Sequence, residues 1–119
     1  MTLTEKIANL IRETSSALAP DVTRALRDAL GREEEGSSAA LILKTILDNV
    51  ELARAQGTPM CQDTGTLTFF VDAALRPRVT PAVIRAAVAE ATRQGWLRKN
   101  CFDAVTGASH DDNCADGAP

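Results

Sequence analysis

Cys61, Gln62 and Asp63 stand side by side in a stretch bounded by Gly57, Pro59 and Gly65. A thiol, an amide and a carboxyl in one short run can supply a metal ligand, a hydrogen-bonding group and a proton carrier. Free cysteine is commonly a buried hydrophobe, and Cys61 taken alone fits that ordinary role. The sharper alternative is a metal ligand. Glycines let backbone N–H groups approach a thiolate or an inorganic sulfide, and those hydrogen bonds tune a cluster. Gln62 and Asp63 cost stability on a constrained loop unless they face water or bind something. Arg98 carries a planar fork suited to a carboxylate through two parallel hydrogen bonds, although an Arg beyond a helix end is ordinarily a surface residue. Cys101, His110, Asp111, Asp112 and Cys114 lie in a polar stretch, where His110 and the two aspartates read as solvated loop residues.

These groups need elements to position them. Leu3, Ile7, Leu10, Ile11 and Leu18 fall on one face at helical spacing and predict a first helix over about 3–18. Asp21 is placed to cap a second, with Val22, Ala25, Leu26, Ala29 and Leu30 as its apolar face. The acidic run Glu33-Glu34-Glu35 reads as a solvated helix end or loop. Ser37 or Ser38 caps a third helix through Ile42, Ile46, Leu47, Val50 and Ala53, which is apolar nearly all round at Leu41-Ile42-Leu43 and is expected to be the most buried of the set. Gly57 suits the left-handed residue that ends it, with Pro59 beyond, so 57–65 is a loop. Leu67-Thr68-Phe69-Phe70-Val71 has the composition of a strand. Thr80 and Pro81 open a fourth helix with Val83, Ile84, Ala87, Val88 and Ala91 buried, ended by Gly95. From about residue 97 the chain is polar, without an apolar run to anchor it. The expected fold class is α/β: a helical N-terminal half, then the start of a mixed sheet with a packing helix. A lone strand leaves backbone groups unpaired, so the domain is expected to be incomplete.

The whole chain sets bounds on function. Its 119 residues suffice for one domain, and 45% apolar content argues against wholesale disorder. Aromatic residues make up only 3%, so Ala, Leu, Ile and Val must build the core. A formal net charge of −3 with both signs interspersed gives no electrostatic ground for a nucleic-acid or membrane partner. No apolar run reaches spanning length and the first residues lack a signal-peptide layout, so a cytoplasmic location is expected. Three cysteines at unrelated spacings suggest no disulfide framework.

The segment Pro59-Met60-Cys61-Gln62-Asp63-Thr64-Gly65-Thr66 resembles the Pro-x-Cys-Gln-Asp-Thr-Gly segment of the class I (iron–sulfur) fumarate hydratase and L-tartrate dehydratase family. The helix before it, Ile46-Leu47-Asp48-Asn49-Val50-Glu51-Leu52-Ala53, and Gly95-Trp96-Leu97-Arg98-Lys99-Asn100 after it are similar to the family's corresponding segments. Asp103-Ala104-Val105-Thr106-Gly107 and Asp112-Asn113 stand where the family carries Asp-Pro-x-Thr-Gly and Gly-Asp-Asn. The resemblance spans about residues 20–119. It implies that the chain is the N-terminal part of an α subunit or α region, a hydro-lyase acting on a small hydroxy-dicarboxylate (fumarate/malate or tartrate/oxaloacetate).

By the same resemblance, Cys61 is one of three cysteines holding a [4Fe–4S] cluster whose fourth iron stays open as a Lewis acid. Gln62 and Asp63 contact substrate, Asp63 also serving in proton transfer, and Arg98 binds a substrate carboxylate. The family's other two cluster cysteines and its functional histidine lie beyond residue 119. Cys101, Cys114 and His110 match none of them, so the chain alone is expected to be inactive. Implied partners are a β subunit or C-terminal region, in an oligomer; Thr106-Gly107 and Gly117-Ala118-Pro119 lean toward the two-subunit branch. Two other readings stay open: a noncatalytic remnant that binds at most a partner subunit, and a small metal-binding module using the three cysteines.

Overall fold

A computed structural model describes residues 1–114, so the Gly117-Ala118-Pro119 expectation falls outside the described residues. Four α-helices appear among the described residues, α1 Leu3–Ser16, α2 Pro20–Leu30, α3 Ser38–Gln56 and α4 Pro81–Arg93, with a short 3-10 turn at Ala73–Leu75. Helix α1 starts on a capping box, with Thr2 accepting from the Glu5 amide and Glu5 accepting from the Thr2 amide. It ends at Ser16, two residues short of expectation. Pro20 occupies the first turn of α2, and Ala19 stands at the cap position, so Asp21 sits in the first turn and makes no cap bond. Ser37 caps α3 through the Ala40 amide, and Gly57 ends it in the left-handed region. Thr80 caps α4 with Pro81 following, and Gly95 adopts positive φ just past it, as expected.

The core lies between α1 and α4. Ile7, Ala8 and Ile11 of α1 meet Ala87, Val88 and Ala91 of α4, with Leu97 closing the cluster. Alanine at 87 and 91 lets the two helices approach closely. Helix α2 packs on α3, and α3 also touches α1.

Three further expectations fail, each for a physical reason. No strand or sheet forms among the described residues, so the α/β assignment with a starting mixed sheet is wrong. The chain is helical, with one isolated antiparallel bridge between Phe102 and Ser109. Residues 67–71 do alternate: Leu67 and Phe69 pack against the α1–α4 core, while Phe70 is 96% exposed. That is the side-chain period of a strand, but a strand also needs a paired backbone, and the described residues provide no partner. Helix α3 is not the most buried. Leu47, Val50 and Ala53 are covered, whereas Leu41 is 66% and Ile42 59% exposed. An all-round apolar pattern records how many faces want cover, and α1 and α2 cover only one side. Lastly, the segment after Trp96 is anchored: Leu97 is 5% exposed within the core, and Cys114 packs against the same cluster.

Asp103 holds the turn after the bridge residue Phe102. Its Oδ1 accepts from the Thr106 amide (2.6 Å), the Thr106 hydroxyl (2.9 Å) and the Val105 amide (2.9 Å). These bonds, led by the Thr106 amide, hold the carboxyl below its usual range. A carboxyl lowered in the folded state stabilises its turn above the unfolded value and loses that contribution as pH falls through the folded one. The protection of the Thr106 amide, relative to its intrinsic exchange rate at each pH, is therefore expected to fall in acid before that of α4 does. A turn equally protected on both sides of the carboxylate range would count against the assignment.

Candidate functional site

The Cys61–Gly65 loop is held from three directions. At its start, the Met60 N–H donates to the Ser15 carbonyl at the end of α1 (2.9 Å), and the Met60 carbonyl accepts from Asn49 Nδ2 of α3 (3.1 Å). Ser15 itself donates to the Trp96 carbonyl (2.8 Å), and Arg12 lies over the Trp96 ring. On the far side, Thr64 Oγ1 donates to the Arg98 carbonyl (2.7 Å). The Asn100 side chain bonds the Gln62 carbonyl, Asp63 Oδ1 and the Thr64 N–H. A loop without secondary structure is thus tied to α1, α3 and the segment that follows α4.

Cys61 is exposed, and its Sγ accepts from the Asp63 N–H at 3.5 Å. A backbone N–H aimed at an accessible sulfur is the environment in which a cysteine ligates a metal or cluster, so Cys61 fits one ligand position. Asp63 Oδ1 accepts from the Gly65 N–H (3.0 Å) as well as from Asn100 Nδ2 (2.9 Å). Cys61 and Asp63 line a cavity of about 470 Å³ walled by Leu10, Ile11, Leu67, Phe69 and Leu97. Asp63 and Thr64 also line a second cavity of about 590 Å³, whose far wall includes Asn100, Cys101, Asn113 and Cys114. The Asp63 side chain therefore stands between two hollows.

Arg98 is exposed and lines neither cavity. Its Nε donates to the Cys61 carbonyl over a long 3.5 Å, which brings the guanidinium beside the Cys61 loop. Gln62 is also exposed, and its carbonyl, rather than its side-chain amide, is the group the structure engages. Cys114 donates its thiol to the Arg85 carbonyl, and burial pushes that thiol upward, with Asp112 adding to the effect. A thiol whose burial disfavours the thiolate and whose proton is committed to a carbonyl is a poor metal ligand. Among the described residues no three His, Cys, Asp or Glu side chains gather as a metal-holding group, which leaves the three-cysteine module without support. His110 contributes backbone bonds to Cys101 and Asn113.

The family model described as fumarate hydratase (Fumerase) matches residues 4–119, nearly the full chain. The chain belongs to the fumarate hydratase family. A Geobacillus stearothermophilus protein named for class I fumarate hydratase is 40% identical over 98% of this chain. The L(+)-tartrate dehydratase α subunit of Escherichia coli strain K12 is 32% identical over the same share. The chain spans 23% of the first relative and 39% of the second. No helix among the described residues of this family member is long and apolar enough to cross a membrane.

Sequence reasoning missed Asn100, Asn113 and Thr64, which carry most of the hydrogen bonds to and around the loop. A partial signal existed. Asn113 follows Asp112 in one of the segments that carry the resemblance, and it is the non-glycine residue with positive φ among those described.

Proposed function

We propose that this chain supplies the α-region part of an iron–sulfur hydro-lyase that adds water to, or removes it from, a small hydroxy-dicarboxylate of the fumarate/malate or tartrate/oxaloacetate type. The observation carrying this reading is the Cys61-Gln62-Asp63 run, placed on a triply anchored loop at a cavity mouth within a chain of the fumarate hydratase family. Residues 1–119 form the N-terminal part of the domain. A C-terminal region or β subunit supplies the remaining groups, in an oligomeric cytoplasmic enzyme.

Cys61 contributes one ligand to a [4Fe–4S] cluster, which when bound supplies a Lewis-acidic iron. Asp63 carries the proton exchanged with the substrate hydroxyl through the carboxylate oxygen not taken by Asn100 and Gly65. Gln62 donates to the substrate, and Arg98 grips one of its carboxylates through its planar fork. With one cluster ligand present, the 119-residue chain alone hydrates no fumarate.

The test substitutes this segment for its counterpart in the full-length tartrate dehydratase α subunit. Purified anaerobically with its partner, the chimera is expected to turn over L-tartrate or malate. A folded, iron-loaded chimera inert toward both, and toward fumarate, would sink the reading. In that chimera Arg98→Lys is expected to lower kcat/KM by about 2 kcal/mol through loss of a bidentate pair, with the iron–sulfur absorbance kept. Unchanged efficiency returns Arg98 to the surface.

A further inference from the structure

We infer that Asn100 is the positioning residue that fixes the 62–64 backbone and turns the Asp63 carboxylate so that one oxygen is left for substrate. This rests on the reading of Asp63 as a reacting group. Both donors and the acceptor oxygen of the Asn100 amide are engaged. Nδ2 donates to the Gln62 carbonyl (3.2 Å) and to Asp63 Oδ1 (2.9 Å), while Oδ1 accepts from the Thr64 N–H (3.3 Å). Two acceptors on one side and a donor on the other also fix which end is nitrogen, since the flipped amide would set oxygen against oxygen. Of the ordinary side chains of this length, only asparagine offers two donors and an acceptor. Aspartate keeps the shape and the acceptor while losing both donors.

The consequence for Asp63 is directional. Its Oδ1 takes the Asn100 and Gly65 donors, and Oδ2 has no donor among the described residues. A carboxylate anchored by one oxygen presents the other at a defined angle, and that orientation is what lets a proton pass at a defined atom.

Asn100 is itself held. Its N–H donates to Asn113 Oδ1 (3.4 Å), and Asn113 Nδ2 donates to Thr92 Oγ1 (3.0 Å) and the Arg98 carbonyl (2.8 Å). Thr92 is 3% exposed on α4 and donates to the Val88 carbonyl (2.8 Å). The restraint thus runs from the α1–α4 core through two asparagines into the loop, over hydrogen bonds alone.

The experiment has two arms. In the 119-residue chain, amide exchange by NMR compares Asn100→Ala and Asn100→Asp with the parent. Asn100→Ala is expected to speed Thr64 exchange roughly tenfold while α1 and α4 stay protected, and Asn100→Asp, whose carboxylate is set against the Gln62 carbonyl and Asp63 Oδ1, to speed it as well. Equal Thr64 exchange in Asn100→Ala and the parent overturns the inference. So does an α4 that loosens together with the loop, which marks a residue of the fold. In the full-length chimera, Asn100→Asp is expected to lower kcat by more than about tenfold with KM within about threefold and the absorbance intact. A parent-like kcat there, with Thr64 loosened in Asn100→Ala, upholds the loop restraint and removes Asp63 from the reaction, so the two failures are told apart. If Asn100→Ala does not fold, a parent-like Asn100→Asp in the chimera overturns the inference.

Discussion

Cys61→Ser, made in the full-length chimera, is expected to abolish the iron–sulfur absorbance and the hydro-lyase activity together, while Cys101→Ser and Cys114→Ser leave both nearly unchanged. The three thiols differ in what surrounds them. Cys61 is exposed at a cavity mouth with a backbone N–H directed at its sulfur. Cys114 spends its thiol on the Arg85 carbonyl and burial disfavours its thiolate, and Cys101 sits across the second cavity from the Cys61 loop with a half-covered side chain. Serine keeps the size of the group and removes its affinity for iron. Spectra taken anaerobically decide the matter, since an open iron is readily lost to oxygen. Bleaching by Cys101→Ser or Cys114→Ser would show that the wrong cysteine has been assigned to the cluster.

The largest expected effect on the fold itself comes from Ile11→Ala. Ile11 is 5% exposed and belongs to the α1–α4 cluster with Ala87 and Ala91, both fully covered, so its truncation leaves a hole in the core. A loss of about 3 kcal/mol is expected, from the missing transfer free energy plus the cavity. That is a large part of the total for a domain of this size. Leu10, one residue earlier, is 59% exposed, and Leu10→Ala should cost less than about 1 kcal/mol. Urea unfolding followed by helical circular dichroism separates the two. Equal midpoints for both variants would mean that the α1–α4 contact does not hold the chain together.

Much of the helical part was legible in the sequence because helices announce themselves locally. Thr2 with Glu5 was not singled out, yet Thr80-Pro81, Ser37 and Gly57 all mark boundaries where the caps form. The Cys61 loop was legible for the same reason: Gly57 and Gly65 take positive φ, and Pro59 cannot continue a helix. What composition could not supply was pairing. Phe69 and Phe70 encode an inward and an outward side chain, and nothing in their types says whether a neighbouring backbone exists to bond them. The same limit misplaced α3, whose Leu41 and Ile42 ask for cover that α1 and α2 do not give. Around the site, Cys61, Gln62, Asp63 and Arg98 stood out through their resemblance to a known motif, and the structure brings all four to one loop and its immediate neighbour. Asn100 and Asn113 stood inside the resembling segments, yet an asparagine in a polar stretch shows no role of its own until its partners are placed.

The bond from Ser15 to Trp96 joins residues 81 apart in the chain. Closing so wide a loop costs on the order of 4 kcal/mol of chain entropy, whereas α2 and α3 are neighbours across a short link and can associate locally. Assembly should therefore run in two stages, a quick α2–α3 hairpin followed by a slower meeting of α1 with α4 that has the higher contact order. The Cys61 loop draws anchors from both stages: Asn49 from the first, Ser15 and Asn100 from the second. On a ribosome, residue 61 emerges well before residue 100, so the nascent chain passes through an interval in which the thiol is present and its cradle is not. Whatever engages Cys61 in its final geometry must wait until the far end of α4 has been made and has docked.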